Sequence, residues 1–228
     1  KEREKLMHKE NIKNLVDMAL FLLFVFCMGM HLWSTLVHEI AGTAMLILLV
    51  VHNILNRKWY SSLSKGRYNA MRILLSLLVV LVLAVFLLMT YSSEVISRYV
   101  FVFLLDFGSP AQAHRLHLWG AYWGMMLISL HIGVHWQKFI RLGDLSSVLG
   151  VGRWMGIVAK LAGIGIAIYG VYTFVDRQCL DYLLLRNQFA MFNNNESTLK
   201  FYLDYIAMLG TGIFIAHYCS KVLRKLGR

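Results

Sequence analysis

Cysteine is scarce in this chain, and its usual motifs are missing. Cys27, Cys179 and Cys219 stand far apart, so there is no CxxCH for covalent haem and no CxxC for zinc or an iron–sulfur cluster. Cys27 and Cys219 fall in apolar runs and read as packing residues; Cys179 lies outside them and could pair only between two chains. Proline occurs once, as Pro110, and charge is absent from long stretches: LFLLFVFCMGM, AMLILLVV and LLSLLVVLVLAVFLLM hold none. A soluble domain is close to half apolar, with its apolar and polar residues interleaved. Here 58% of the residues are hydrophobic, and they come in blocks. A run approaching 20 residues spans the roughly 30 Å of hydrocarbon in a bilayer as a helix. The expectation is an all-α, polytopic membrane helical bundle. No small-residue cleavage site follows the first run, so it reads as a retained helix and not a signal peptide. Tandem repeats and low-complexity tracts are also absent.

Six spans are expected, at about 14–32, 35–56, 71–92, 112–136, 154–175 and 199–221. They form a single membrane domain, 1–228, with a cytochrome b-like four-helix core over about 14–136. A further helix pair over about 154–221 carries an outer amphipathic segment, 176–198. The formal charge of +11 would suggest nucleic acid in a soluble protein. Its distribution explains it otherwise. Seventeen basic residues lie on one side, in the N-terminal stretch Lys1–Lys13, the loop around Arg57–Arg72, the loop with Lys138, Arg141 and Arg153, and the C-terminal Lys221–Arg228. Five lie on the other: Arg98, Arg115, Arg177, Arg186 and Lys200. The positive-inside rule puts both termini in the cytoplasm, as an even number of spans requires. The charge is an orientation signal toward a lipid bilayer, and no nucleic-acid partner is needed. On the outer side, the aromatic segment 93–110 is expected to lie at or re-enter the interface.

Four histidines sit inside the apolar helices at a repeated spacing. His38 and His52 in span two are fourteen residues apart, and so are His117 and His131 in span four. Fourteen residues rise about 21 Å and return to within about 40° of the same face. Both spans run from outside to inside, so His38 shares a depth with His117, and His52 with His131. Two facing imidazoles suit a haem iron with both axial positions filled, a site for electron transfer and not oxygen binding. Zinc would need three or four ligands gathered in one place. The candidate ligands are therefore His38 and His117 for an outer iron and His52 and His131 for an inner one, with two b-type haems per chain, or one if only one pair is filled.

Gly42, one turn after His38, and Gly120 and Gly124, after His117, would leave room on the ligand face for a flat macrocycle. Ordinary close helix packing is the competing explanation for them. Arg115 and Lys160 are candidate partners for haem propionates, against plain interface placement and snorkelling. Glu39 reads as part of an outer polar layer, with proton movement as the sharper alternative. His114 and His135 flank the ligand pair but break the spacing; His135 and Trp136 fit the cytoplasmic interface, with contact to a quinone or a propionate as the alternative. His31 reads as an interface residue, His8 as part of the basic tail, and His217 as lacking a partner at matching depth.

The stretches HEIAGTAMLILLVVHNILNRKWY, SRYVFVFL, RLHLWGAYWGMMLISLHIGVHW and YGVYTFVDRQCLDYLLL…FYLDYIAMLG resemble the flavinylation-associated membrane cytochromes, a family of small bacterial proteins long catalogued as a domain of unknown function. The resemblance covers nearly the whole chain. It implies b-haem in a helical bundle of the bacterial cytoplasmic membrane, with His38, His52, His117 and His131 as ligands. It also implies electron transfer across the membrane to an extracytoplasmic flavoprotein, in flavin-based extracellular electron transfer. The chain has no flavin-attachment segment of the Asp-Gly-x-Thr-[Gly/Ser]-x-Thr type, so any flavin is on a partner. It shows no GxGxxG dinucleotide-binding motif, so no fused nicotinamide-dependent reductase is expected.

The expected role is that of an electron-transfer protein or a subunit of an oxidoreductase complex. Electrons enter at the inner haem from a membrane quinone or a cytoplasmic-side donor and leave from the outer one, with no bond-making active site. Two rivals use the same residues differently. One is a haem-bearing anchor of a quinol-oxidising complex with a pocket near His135 or Glu39. The other is a haem-free transporter that uses the histidines as a relay.

Overall fold

The structure is a computed structural model that describes residues 2–63, 65, 68–103, 108–142, 152–191, 193 and 195–226, with the side chains of all of these except 2–7, 139–142, 152, 153, 155 and 226. Of the loop expected between the fourth and fifth spans, residues 143–151 lie outside the described residues, as do Arg67, Arg228 and residues 104–107 of the aromatic segment. The described residues are all-α, with no strand among them. In chain order the elements are α1 (Glu2–Met28), a 3-10 turn (Met30–Leu32), α2 (Thr35–Leu55), α3 (Arg57–Ser62), α4 (Ala70–Ile96), α5 (Pro110–Leu142), α6 (Gly152–Asp176), α7 (Cys179–Leu183) and α8 (Thr198–Leu226).

Among the described residues, five helical stretches are long and apolar enough to cross a membrane: His8–Met28, α2, α4, Gly156–Asp176 and Thr198–Lys225. The chain is thus a multi-pass membrane protein by the length and composition of its helices. The fourth expected span falls on α5, the longest helix at 33 residues. It is not among the five, because histidines, tryptophans and glycines dilute its apolar residues. Helix ends run past the expected spans where polar residues continue the turn, α4 to Ile96 and α8 to Leu226. In the outer segment 176–198 the helix, α7, is only five residues long. It is bracketed by left-handed backbone at Gln178 (φ 51°) and Leu185 (φ 57°).

The chain forms two compact units, 1–67 with 94–107, and 68–93 with 108–228. In the first, α1 and α2 pack as a hairpin. Gly29 and the 3-10 turn reverse the chain, Phe26 stacks on Trp33 with ring centroids 5.1 Å apart, and Ser34 caps α2 by accepting the Val37 N–H at 3.4 Å. At the other end of α2, the Asn56 side chain donates to the His52 carbonyl at 2.9 Å.

In the second unit α8 packs along both α5 and α6. Small residues make this possible. A Cβ at Gly133 of α5 would stand 2.5 Å from the Ile213 carbonyl oxygen and 2.7 Å from Ala216 Cβ. One at Gly170 of α6 would strike the Ala207 carbonyl and the Thr211 hydroxyl of α8. That hydroxyl also donates to the Ala167 carbonyl of α6 at 3.1 Å. α4 begins at the Asn69 cap, whose side chain accepts the Arg72 N–H at 2.8 Å. Leu78 of α4 then joins Leu127, Val134 and Ala216 in the apolar core.

One end of this unit is closed by α7. Trp119 and Trp123 of α5 both donate their indole N–H to the Leu183 carbonyl, at 2.9 and 3.1 Å. Tyr182 stacks on Tyr122 at 4.4 Å, and the Tyr122 and Tyr205 hydroxyls bond at 3.1 Å. Cys179 is fully buried, with its thiol 3.6 Å from the Met208 sulfur, and burial pushes that thiol up to about 12. A bond between chains through Cys179, the one pairing the sequence left open, is thereby removed: its sulfur is packed inside its own unit.

Candidate functional site

The four spaced histidines fall on two helices. His38 and His52 lie near the two ends of α2 in the first unit, and His117 and His131 lie along α5 in the second. All four side chains are half-buried. Each pair keeps its fourteen-residue register within one unbroken helix.

His52 has a carboxylate partner. Its Nδ1 lies 2.8 Å from Asp17 Oδ1 on α1, the helix with which α2 forms its hairpin. A carboxylate oxygen can only accept, so Nδ1 carries the hydrogen and Nε2 carries the lone pair. Asn56 Nδ2 stands 3.5 Å from that Nε2 while donating more closely to the His52 carbonyl.

His117 is oriented by hydroxyls. Ser92 and Ser93, in the last turns of α4, have their Oγ atoms 3.4 and 3.3 Å from His117 Nδ1. Both hydroxyls donate to the Met89 carbonyl, at 3.0 and 2.7 Å. With both hydroxyl hydrogens turned to Met89, their oxygens face the ring, an arrangement that suits an Nδ1 donor and a basic Nε2.

This is the orientation a metal-ligating histidine needs, with the distal N–H anchored and the other nitrogen basic. The donor set therefore fits a haem with imidazole ligands. Among the described residues no three histidine, cysteine or carboxylate side chains converge as a compact metal site.

The glycines divide. Within its own unit no atom lies within 4 Å of where a Cβ on Gly42 would stand. A Cβ on Gly120 would lie 2.6 Å from Met89 Sδ, the movable end of a flexible side chain. Gly124 is buried on α5. Arg115 is exposed near the start of α5, and Lys160 lies on a stretch of α6, 156–162, whose described side chains are all exposed. His114 and His135 are exposed, with the His135 ring 5.0 Å from that of His131. His217 is buried on α8, edge-on to Tyr218 at 5.2 Å.

Glu39 has a structural task. Its carboxylate accepts from Ser97 Oγ at 2.8 Å and from the backbone N–H groups of Arg98, Tyr99 and Val100 at 2.8, 3.0 and 2.9 Å. It fastens the stretch after α4 to α2 inside the first unit.

Sequence reasoning passed over Asp17, Ser92 and Ser93. The signal for Asp17 was present: a lone carboxylate in the first apolar run, where an unpartnered charge is costly. For the serines there was no such signal, since serine in a membrane helix commonly bonds its own backbone. Comparison of the chain with family models, with curated proteins and with solved structures returned no match.

Proposed function

We propose that this protein is a di-haem b-type cytochrome of the bacterial cytoplasmic membrane that passes electrons across the bilayer, to an extracytoplasmic flavoprotein. The observation that carries the reading is the shared orientation of His52 and His117. Each ring has its Nδ1 facing side-chain oxygens of a neighbouring helix, Asp17 in one case and Ser92 with Ser93 in the other. Nε2 is then the nitrogen left to ligate. The repeated fourteen-residue spacing and the resemblance to flavinylation-associated membrane cytochromes support it.

In this reading His38, His52, His117 and His131 are the axial ligands. Gly42, Gly120 and Gly124 leave room beside them, and Arg115 and Lys160 are the cations available to propionates. Bound haem supplies a one-electron Fe(III)/Fe(II) couple. The protein contributes ligation, tautomer, polarity and spacing, which set the potential of that couple. The chain spans the membrane six times, α5 included, with both termini cytoplasmic, as its asymmetric basic residues support. A quinone pocket at Glu39 is disfavoured, because both carboxylate oxygens already accept backbone N–H groups of residues 98–100.

The test is the visible spectrum of the purified protein, oxidised and reduced, with a pyridine haemochrome count. Low-spin b-type bands with about two haems per chain are expected for two bis-histidine sites. His38→Ala should remove one haem and spare the other. A colourless protein after adequate haem supply would sink the proposal and favour a histidine-relay transporter.

A further inference from the structure

The stretch 180–191 of the second unit turns apolar side chains outward. Leu180, Leu184 and Leu185 are exposed in their unit, and Phe189 and Met191 are 73% and 79% exposed. We infer that this stretch is an interfacial lipid anchor, seated at the boundary between headgroups and acyl chains on the side of the membrane where α6 ends and α8 begins. In the orientation proposed above, that side is the outer leaflet. The inference goes beyond electron transfer and does not rest on bound haem.

The backbone is built to present these side chains. α7 ends in a Schellman turn: the Arg186 N–H donates to the Asp181 carbonyl at 2.8 Å, and the Leu185 N–H to the Tyr182 carbonyl at 3.2 Å. Leu185 fills the left-handed position of that turn, with φ 57°. Glycine is the usual residue there, because a Cβ is strained in this conformation. A leucine in its place keeps a large apolar side chain at an exposed site in spite of the strain. Beyond the turn, the Met191 N–H donates to the hydroxyl of the buried Tyr182 at 3.0 Å. The chain between is thereby closed into a loop fixed to its unit.

The level of the loop decides what covers it. α7 does not stand above the helix ends. Tyr182 stacks on Tyr122, whose hydroxyl bonds that of Tyr205. Tyr205 lies seven residues after Thr198, the first residue of α8, which is about 10 Å into the helix. The Leu183 carbonyl takes the indole N–H groups of Trp119 and Trp123, and Tyr169 donates to Asp204, the chain neighbour of Tyr205. Tryptophan and tyrosine from α5, α6, α7 and α8 thus gather in one layer. Such rings, apolar with a polar tip, collect at the membrane–water interface. Tyr172 and Val175, at the end of the α6 span, and Leu199 and Leu203, at the start of the α8 span, are exposed as well. Apolar side chains on the outside of membrane-crossing helices meet lipid, and the loop carries that surface from one span to the next. Arg186, exposed and 3.4 Å from Asp181, adds a cation that suits headgroup phosphates.

The experiment is nitroxide power saturation on the full chain in phosphatidylcholine vesicles. Labels are placed at Phe189→Cys, at Met191→Cys and, as the aqueous reference, at Asn195→Cys. Cys27→Ala and Cys219→Ser leave the buried Cys179 as the one remaining native thiol. Molecular oxygen concentrates in lipid and a nickel chelate in water. Oxygen should relax the labels at 189 and 191 more than the nickel chelate does, and the order should reverse at 195. Two label sites keep the test open should one variant fold poorly. Stronger relaxation by nickel at both sites would show a water-facing surface and overturn the inference. Shielding from both reagents would show that protein covers the loop, and would overturn it too. Haem is read separately: a colourless protein with oxygen-relaxed labels would sink the cytochrome reading and leave the lipid anchor standing.

Discussion

The Glu39 carboxylate collects four hydrogen bonds from residues 97–100, three of them from consecutive backbone N–H groups. Those groups follow the end of α4, where no helical carbonyl awaits them, so a carboxylate on α2 completes them. Asp17 does comparable work for one imidazole. Both acids sit in or beside apolar runs, and each is satisfied by polar groups brought from elsewhere in the chain. Glu39→Ala should therefore speed hydrogen exchange at the amides of Arg98, Tyr99 and Val100 while the middle of α2 stays protected. Unchanged protection of those three amides would show that the segment is held by other means. From the sequence, Glu39 was legible as a member of a polar layer; its partners, about sixty residues away, were not.

The helices carry two kinds of glycine. Gly133 lies in the α5–α8 contact, where a Cβ would meet the Ile213 carbonyl oxygen at 2.5 Å. Gly42, on α2, meets nothing within 4 Å. They look alike in the sequence, each a small residue in an apolar helix. The structure separates them by what stands opposite. Gly133→Leu should lower unfolding stability by about 1–3 kcal/mol or more through overpacking, read from thermal melts in detergent. Gly42→Leu should leave the melt of the haem-free protein within about 0.5 kcal/mol of wild type, as for a surface site, and reduce haem loading. Equal destabilisation by the two substitutions would remove Gly42 from the proposed haem cradle. Helix boundaries were legible to within a few residues for α2 and α6, because hydropathy falls sharply there. α1 was not, since its charged first turns continue the helix without apolar content.

At the scale of the whole molecule, ionic contacts hold together what hydropathy lays out separately. In the second unit Arg177, just past α6, bonds Asp204 of α8 at 2.6 Å and Glu196 at 2.7 Å, and Lys200 bonds the same two carboxylates at 2.9 Å. Tyr169 adds a hydrogen bond to Asp204. Two cations and two anions thereby tie the α6 end to the α8 start. Burial works to raise the Glu196 carboxyl, but the hydrogen bonds from Arg177 and Lys200 prevail and hold it below its ordinary value of 4.5. A depressed folded-state value contributes stability that is present above the unfolded value and lost as pH falls through the folded one. The melting temperature should thus fall as pH is lowered from about 5 toward 3, and Glu196→Gln should melt lower at neutral pH with a shallower acid slope. Identical slopes for wild type and variant would show that this carboxylate does not contribute.

The sequence by itself determined the membrane class, the helical architecture and the register of His38 with His52 and of His117 with His131. These follow from composition and from the fixed rise and turn of a helix, which need no knowledge of neighbours. The tertiary structure alone decided that Asp17 reaches His52, that Ser92 and Ser93 face His117, that α8 lies against both α5 and α6, and that Cys179 is sealed beneath α7. Each of these depends on which helices touch and at what rotation. That is set by small-residue contacts and by polar groups seeking partners across long separations, and no local pattern in the chain encodes it.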